Sequence, residues 1–176
     1  MSRPGSRPAN RGRTRWGPRA VVLLVVGLAG LAVLTVAAIA VGKSFTLRVQ
    51  RNAHVTNGFP PPKVNKHEAI AIGPKGVAVY TLAGETTKHL LCVSKKTGQM
   101  CLTFWPPATV KSAKGLTKQA GITGKLGTFH RAGYGLQLEL SGHPLYYFLP
   151  DIKAHKPASA TGQLVQNSGT WHVVTG

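Results

Sequence analysis

Two stretches of this chain combine side chains able to do chemistry. Tyr80 stands five residues before Glu85, and Tyr146 stands five residues before Asp151 with Phe148 between them. A phenol, an apolar side chain and a carboxylate at such spacing suit a ligand pocket in which rings hold the ligand and polar tips orient it. The same residues suit a structural role. On a strand, the period of two puts Tyr80 with Leu82, and Tyr146 with Phe148, on one face. An acid just past the strand end can then accept backbone N–H bonds from a turn. Arg131, the one arginine between residues 67 and 176, is a possible partner for Asp151. The candidates for ligand contact are therefore Tyr80, Glu85, Arg131, Tyr146, Phe148 and Asp151.

Cys92 and Cys101 are the only cysteines, with eight residues between them. That spacing is not the C-x-x-C of a redox pair. If the body lies outside the cytoplasm, they are expected to form a structural disulfide. Seven histidines are spread at intervals of twelve or more residues, so no local H-x-H, H-x3-H or HExxH ligand pair exists. A metal site would have to be assembled in space, and no metal or cofactor is expected. Glu68, Glu85, Glu139 and Asp151 are the only acids, which argues against a two-metal nuclease, a calcium loop or most glycosidases. There is also no G-x-S-x-G, P-loop or G-x-G-x-x-G motif, so no catalytic residue is assigned.

The elements that position these groups begin after a distinctive start. Residues 1–19 carry six arginines among Pro, Ser and Gly and read as a disordered basic tail. Residues 20–41 are 22 residues without a charge, which as a helix would span about 33 Å, the thickness of a hydrocarbon core. The arginines before it, against Lys43, Arg48 and Arg51 after it, predict a signal anchor with a cytoplasmic N-terminus and an extracytoplasmic body. The competing reading is a signal peptide cleaved near Ala40, with the body secreted, because Ala38-Ile39-Ala40 is an A-x-A site. No cysteine closely follows the apolar run, which disfavours a lipoprotein. Of 22 Lys and Arg, 16 remain outside the membrane on this topology, against four acids, leaving +12. Such a body would be attracted to anionic cell-wall polymer or lipid headgroups. No nucleic-acid motif accompanies the charge, and nucleic acid is not an expected partner.

Residues 42–66 read as a linker, with Phe45–Val49 alternating like a short strand and Pro60-Pro61-Pro62 stiffening the chain. Residues 67–176 read as the folded body. Glu68–Ile72 and Val77–Leu82 form one expected hairpin; Gly135–Leu140 and His143–Phe148, separated by Ser141-Gly142, form another. Phe129–Arg131 and Trp171–Val174 are further strand candidates, and residues 108–125 read as loop with at most one helical turn. Gly76/Gly142, Tyr80/Tyr146, Glu85/Asp151 and Trp105/Trp171 all differ by 66 in residue number. This register predicts a duplication, with units at about 67–110 and 126–176 and Trp105 and Trp171 plugging the ends of the two units. The expected fold is a mainly β domain of two duplicated β-hairpin units, preceded by one transmembrane helix.

Val79-Tyr80-Thr-Leu82-Ala-Gly-Glu85, followed by Cys92, Cys101 and Phe104-Trp105-Pro106-Pro107, resembles the first unit of the bacterial "secreted repeat of unknown function" family. Leu126-Gly127-Thr, Arg131, Gly133, Gln137, Gly142 and Pro144-Leu145-Tyr146-Tyr147-Phe148-Leu149-Pro150-Asp151 resemble its second unit. Gly169-Thr170-Trp171-His-Val-Val174 resembles its C-terminal end. Leu82 stands for the aromatic, and Glu85 for the Asp, of that family's Y-x-(F/W/Y)-x-x-D motif. The resemblance implies an extracytoplasmic β-rich envelope domain and no reaction. A binding or structural module is the expected function. The alternative is an enzyme or redox accessory protein with a site between the two units, around Tyr80, Tyr146 and Asp151.

Overall fold

The computed structural model describes residues 44–58, 63–93 and 100–176. The chain divides into two units, Met1–Ala40 and Val41–Gly176, and the account below concerns the second. The basic tail and the apolar run of the sequence analysis lie outside the described residues. Among the described residues no helix is long and apolar enough to cross a membrane.

The body is mainly β. Its strands are β1 (Arg48–Thr56), β2 (Asn65–Ile72), β3 (Tyr80–Leu82), β4 (Thr109–Val110), β5 (Leu126–Arg131), β6 (Gly135–Leu140), β7 (His143–Pro144), β8 (Ser159–Ala160) and β9 (Trp171–Val173). Among the described residues two short helices, α1 (Cys101–Phe104) and α2 (Leu149–Ala154), interrupt them. β2, β1 and β8 form one sheet in that order. β3 pairs with β9. β4, β6 and β5 form a third sheet, with β7 added beside β6.

The expected turn between β6 and β7 is present, and Ser141 and Gly142 both take positive φ, 52° and 82°. That is the backbone of a two-residue turn whose twist suits a hairpin. The expected first hairpin is looser: Ile72 bridges Ala78, and Gly73 N–H donates to Val77 at 3.0 Å. β2 finds its long partner in β1 instead. The linker reading of residues 42–66 is thus corrected at Arg48–Thr56 and from Asn65, while Pro60-Pro61-Pro62 lies outside the described residues. β1 was obscured because Gln50-Arg-Asn-Ala-His is polar and because a register irregularity between Gln50 and Ala53, with Asn52 at φ 54°, breaks the alternation. Past the irregularity the period holds, with Ala53 and Val55 fully buried. The helical turn allowed within 108–125 is absent; that stretch carries β4, and Leu47 bridges Lys118.

Two core clusters lie on opposite faces of the central segments. Ala78, Tyr80, Leu82, Tyr146 and Phe148 point into one cluster, together with Trp105, Trp171, Cys92 and Cys101. Val77, Val79, Leu145 and Tyr147 point into the other, with Leu47, Ile122 and Leu138. Residues 77–80 and 145–148 are therefore buried on both sides, which explains why each reads as an unbroken apolar run rather than an alternation.

The expected disulfide is present: Cys92 and Cys101 are bonded, with Cα atoms 5.4 Å apart, and both side chains are buried. In the chain-entropy view, closing so short a loop stabilises the fold by ~2.5–3 kcal/mol. Reduction should accordingly lower the unfolding free energy obtained from urea titration by that amount. Mass mapping of unreduced, proteolysed protein should recover the Cys92–Cys101 linked peptides; two free thiols in protein from its native compartment would contradict the pairing.

Candidate functional site

Tyr80 and Tyr146 face each other across the centre of the body. Tyr80 N–H donates to the Tyr146 carbonyl at 2.9 Å, and Tyr146 N–H returns a bond to the Tyr80 carbonyl at 3.0 Å. Each also pairs outward, Tyr80 with Val173 and Tyr146 with Pro107. The neighbouring bonds repeat the pattern. Val174 N–H donates to Val79 and Ala108 N–H to Leu145, both at 2.9 Å; Ala71 N–H donates to Val174 and Leu138 N–H to Ala108, both at 2.8 Å.

The side chains cross over this backbone pair. Tyr80 Oη donates to Asp151 Oδ2 at 2.5 Å, and Tyr146 Oη donates to Glu85 Oε1 at 3.0 Å. The tyrosine of each sequence motif thus binds the acid of the other. Trp105 and Trp171 lie between, stacked 3.9 Å apart and tilted by 5°. Tyr80 meets Trp105 edge-on at 5.3 Å, and Tyr146 meets Trp171 edge-on at 5.1 Å. Trp105 also stacks on Phe148 at 4.4 Å. The tryptophans do not plug the ends of two units; they form one stack in the core, because two flat faces exclude most water when laid on each other.

All four polar groups are interior: Tyr80, Tyr146 and Glu85 are 0% exposed and Asp151 is 2% exposed. A carboxylate survives such burial only where donors meet it. Glu85 Oε1 also accepts from the N–H groups of Leu91 and Cys92, both at 2.9 Å, while Oε2 is buried without a partner. Asp151, in the first turn of α2, accepts from Thr161 N–H at 3.1 Å and Thr161 Oγ1 at 2.6 Å. The reading of each acid as an acceptor for backbone N–H groups therefore describes the geometry well.

Arg131 does not pair with Asp151. It is buried at the end of β5 and donates to Tyr146 Oη at 2.6 Å, to Gln137 Oε1 at 3.0 Å and to the Cys92 carbonyl. Tyr146 Oη therefore accepts from a cation and donates to an anion, bridging Arg131 and Glu85. Asp151 has no such cation, so burial dominates and raises its pKa above the ordinary carboxylate value, although the bonds from Thr161 and Tyr80 oppose this. Burial also raises the pKa of Tyr80 well above that of a free phenol, helped by the negative charge of Asp151. Tyr146 is raised as well, by burial and by Glu85, against the opposing pull of Arg131. Burial pushes Tyr147 up to about 12, against the opposing bond that it accepts from Lys75 N–H at 3.1 Å. Each phenol therefore stays protonated, Tyr80 and Tyr146 as donors to the two acids.

Sequence reasoning passed over two members of this network. Thr161 holds both oxygens of Asp151 from ten residues away, and no local pattern marks it. Gly162 donates to Tyr80 Oη at 3.1 Å, and a Cβ there would sit 2.7 Å from the Trp105 ring. Only a glycine lets the backbone come so close.

Two hollows flank this core. One of about 370 Å³ is lined by Leu82, Gly84, Thr123, Ser141 and His143. The other, about 330 Å³ and apolar, is lined by Phe104, Trp105, Phe148, Pro150 and Val165. Of the six candidate ligand contacts, only Phe148 borders either of these hollows. Among the described residues no three or more His, Cys, Asp or Glu side chains cluster as a metal site. No protein-family model, curated protein or solved structure matches the chain.

The Asp151 environment has a testable sign. Its raised folded-state pKa means that its stabilising contribution is full below the ordinary carboxylate value and is lost as pH rises through the folded value. Asp151→Asn removes this titration and one acceptor for Tyr80, so at neutral pH the variant should fold, within about 1–2 kcal/mol of the parent. As pH falls from neutral toward 4, thermal melts should show the parent gaining stability relative to the variant. The reverse trend would mean that the bonds from Thr161 and Tyr80 outweigh burial.

Proposed function

We propose that this chain is an envelope protein anchored by residues 20–41, whose extracytoplasmic body is a duplicated β-domain that binds anionic polymer or lipid headgroups and catalyses no reaction. The observation that carries the reading is where the charges sit. Glu85 and Asp151 are interior, Glu68 is paired with Lys66 at 2.9 Å, and Glu139 accepts from the turn N–H of Gly142. Most of the described lysines face solvent: Lys75, Lys88, Lys111, Lys114, Lys125, Lys153 and Lys156 are all exposed. The surface therefore presents positive charge with little negative charge to cancel it, the electrostatic profile of a polyanion binder.

The duplication is supported by the matched hydrogen bonds. Tyr80 with Val173 and Tyr146 with Pro107 occupy corresponding places at the offset of 66, as do Trp105 and Trp171. The order of motifs supports kinship with the secreted-repeat family. An enzymatic site around Tyr80, Tyr146 and Asp151 is the weaker reading. Those groups are spent on one another and are closed to solvent, so a substrate would have to break the core to reach them.

The binding test uses the full chain in neutral detergent, titrated with poly(glycerol phosphate) and with an uncharged polymer of equal length. Binding to the polyphosphate alone is expected, and it should disappear between 0.05 and about 1 M salt, as the screening length shrinks to ~3 Å. Equal binding to the uncharged polymer, or affinity unchanged by salt, would remove the electrostatic reading. For topology, protease added to intact cells should remove the body and leave a short membrane stub. A released protein beginning near Val41 would overturn the anchor.

A further inference from the structure

The pairing of β1 with β2 brings together two histidines that are thirteen residues apart in sequence. His54 lies directly opposite His67 in the antiparallel register. His54 N–H donates to Ala158, in the parallel contact toward β8, at 2.9 Å. Its backbone groups therefore point away from β2, which makes His54 and His67 a non-hydrogen-bonded pair, the narrow kind with side chains closest together. The two imidazoles lie 5.1 Å apart, tilted by 21°, and both residues are exposed. Nothing in the core network or in the charge argument uses them.

A third residue on the same face fixes the chemistry. Asn65 Oδ1 lies 2.7 Å from His54 Nε2. The amide oxygen can only accept, so Nε2 carries the proton and the Nδ1 lone pair of His54 is left available. A carbonyl oxygen holding one ring nitrogen while the other is free is the outer-shell arrangement of metal-binding histidines. The nearest charges along β2 do not oppose it. Lys66 pairs with Val55 in the register and so lies on the opposite face, where it is bound to Glu68 at 2.9 Å.

We propose that His54 and His67 form a two-imidazole chelate for a borderline divalent transition ion, Cu2+, Ni2+ or Zn2+, with Asn65 orienting His54. Imidazole suits these ions, and affinity at such a site should be highest for Cu2+. Two cis ligands with bonds of about 2.0–2.1 Å need nitrogens roughly 3 Å apart, which a modest rotation of each ring supplies. Water or a ligand from a binding partner would fill the remaining positions. The bound ion would clip β1 to β2 beside the register irregularity between Gln50 and Ala53.

The test is titration of the full chain with Cu2+ alone, followed by electron paramagnetic resonance. One ion per chain with hyperfine structure from two imidazole nitrogens is expected. His54→Ala and His67→Ala should each abolish that signal, His172→Ala should leave it intact, and Asn65→Ala should weaken affinity about tenfold. In the unaltered chain, Zn2+ should shift the ring proton resonances of His54 and His67 together, so the proposal does not depend on variants folding. A copper signal that survives both histidine substitutions, or zinc shifts that miss this pair, would overturn it.

Discussion

Glu85 and Asp151 are sealed inside an aromatic core, and the fold is arranged around that constraint. An ionised carboxylate without donors costs several kcal/mol to bury, so each must be met by hydrogen bonds wherever it lies. The donors come from across the body. Tyr146 reaches Glu85 and Tyr80 reaches Asp151, so the segment carrying one acid depends on the segment carrying the other. Separate either from its counterpart and a carboxylate loses its phenol while a phenol loses its acceptor. The reciprocal backbone bonds between Tyr80 and Tyr146 hold both side chains in register for this exchange. The stacked tryptophans fill the space between them.

The two acids are nevertheless balanced differently. Glu85 is balanced by charge: Arg131 lies one phenol away, and its guanidinium also holds the carbonyl of Cys92, whose N–H donates to Glu85. The disulfide therefore fixes the chain that supplies donors to one acid and an acceptor to its counter-cation. Asp151 is balanced only by neutral donors from Tyr80 and Thr161. That is why its pKa moves upward with burial. The reciprocal backbone pair of Tyr80 and Tyr146 thus carries an asymmetric electrostatic core.

What the sequence made legible follows the same physics. The tyrosines, tryptophans and acids of the core could be picked out because aromatic and acidic residues are scarce here. The turn at Ser141-Gly142 could be read because positive φ leaves a mark in residue type. The disulfide could be read from the presence of only two cysteines in a chain expected to face outward. β1 could not, since its buried face is only Ala53 and Val55 and an irregularity breaks the period before them. The crossing of the motifs could not either. Spacing within a motif suggests that Tyr80 serves Glu85, and only the antiparallel meeting of the two segments sends it to Asp151 instead. The place of Arg131 could not be read for the same reason: nothing local chooses between the two acids, and it reaches Glu85 through Tyr146 rather than Asp151.

Burying the acids also shapes the outside. A chain with four carboxylates and 22 Lys and Arg is basic by composition, yet composition alone allows each acid to soften a patch of surface. Here two acids are withdrawn into the core, one is tied to Lys66 and one to a turn. The interior network and the cationic exterior are then two consequences of one placement. The phenols and backbone donors that make buried Glu85 and Asp151 tolerable also remove them from the surface field. A substitution that expelled either acid to the surface would weaken the core and dilute the positive surface at once, so stability and positive surface potential would fall together.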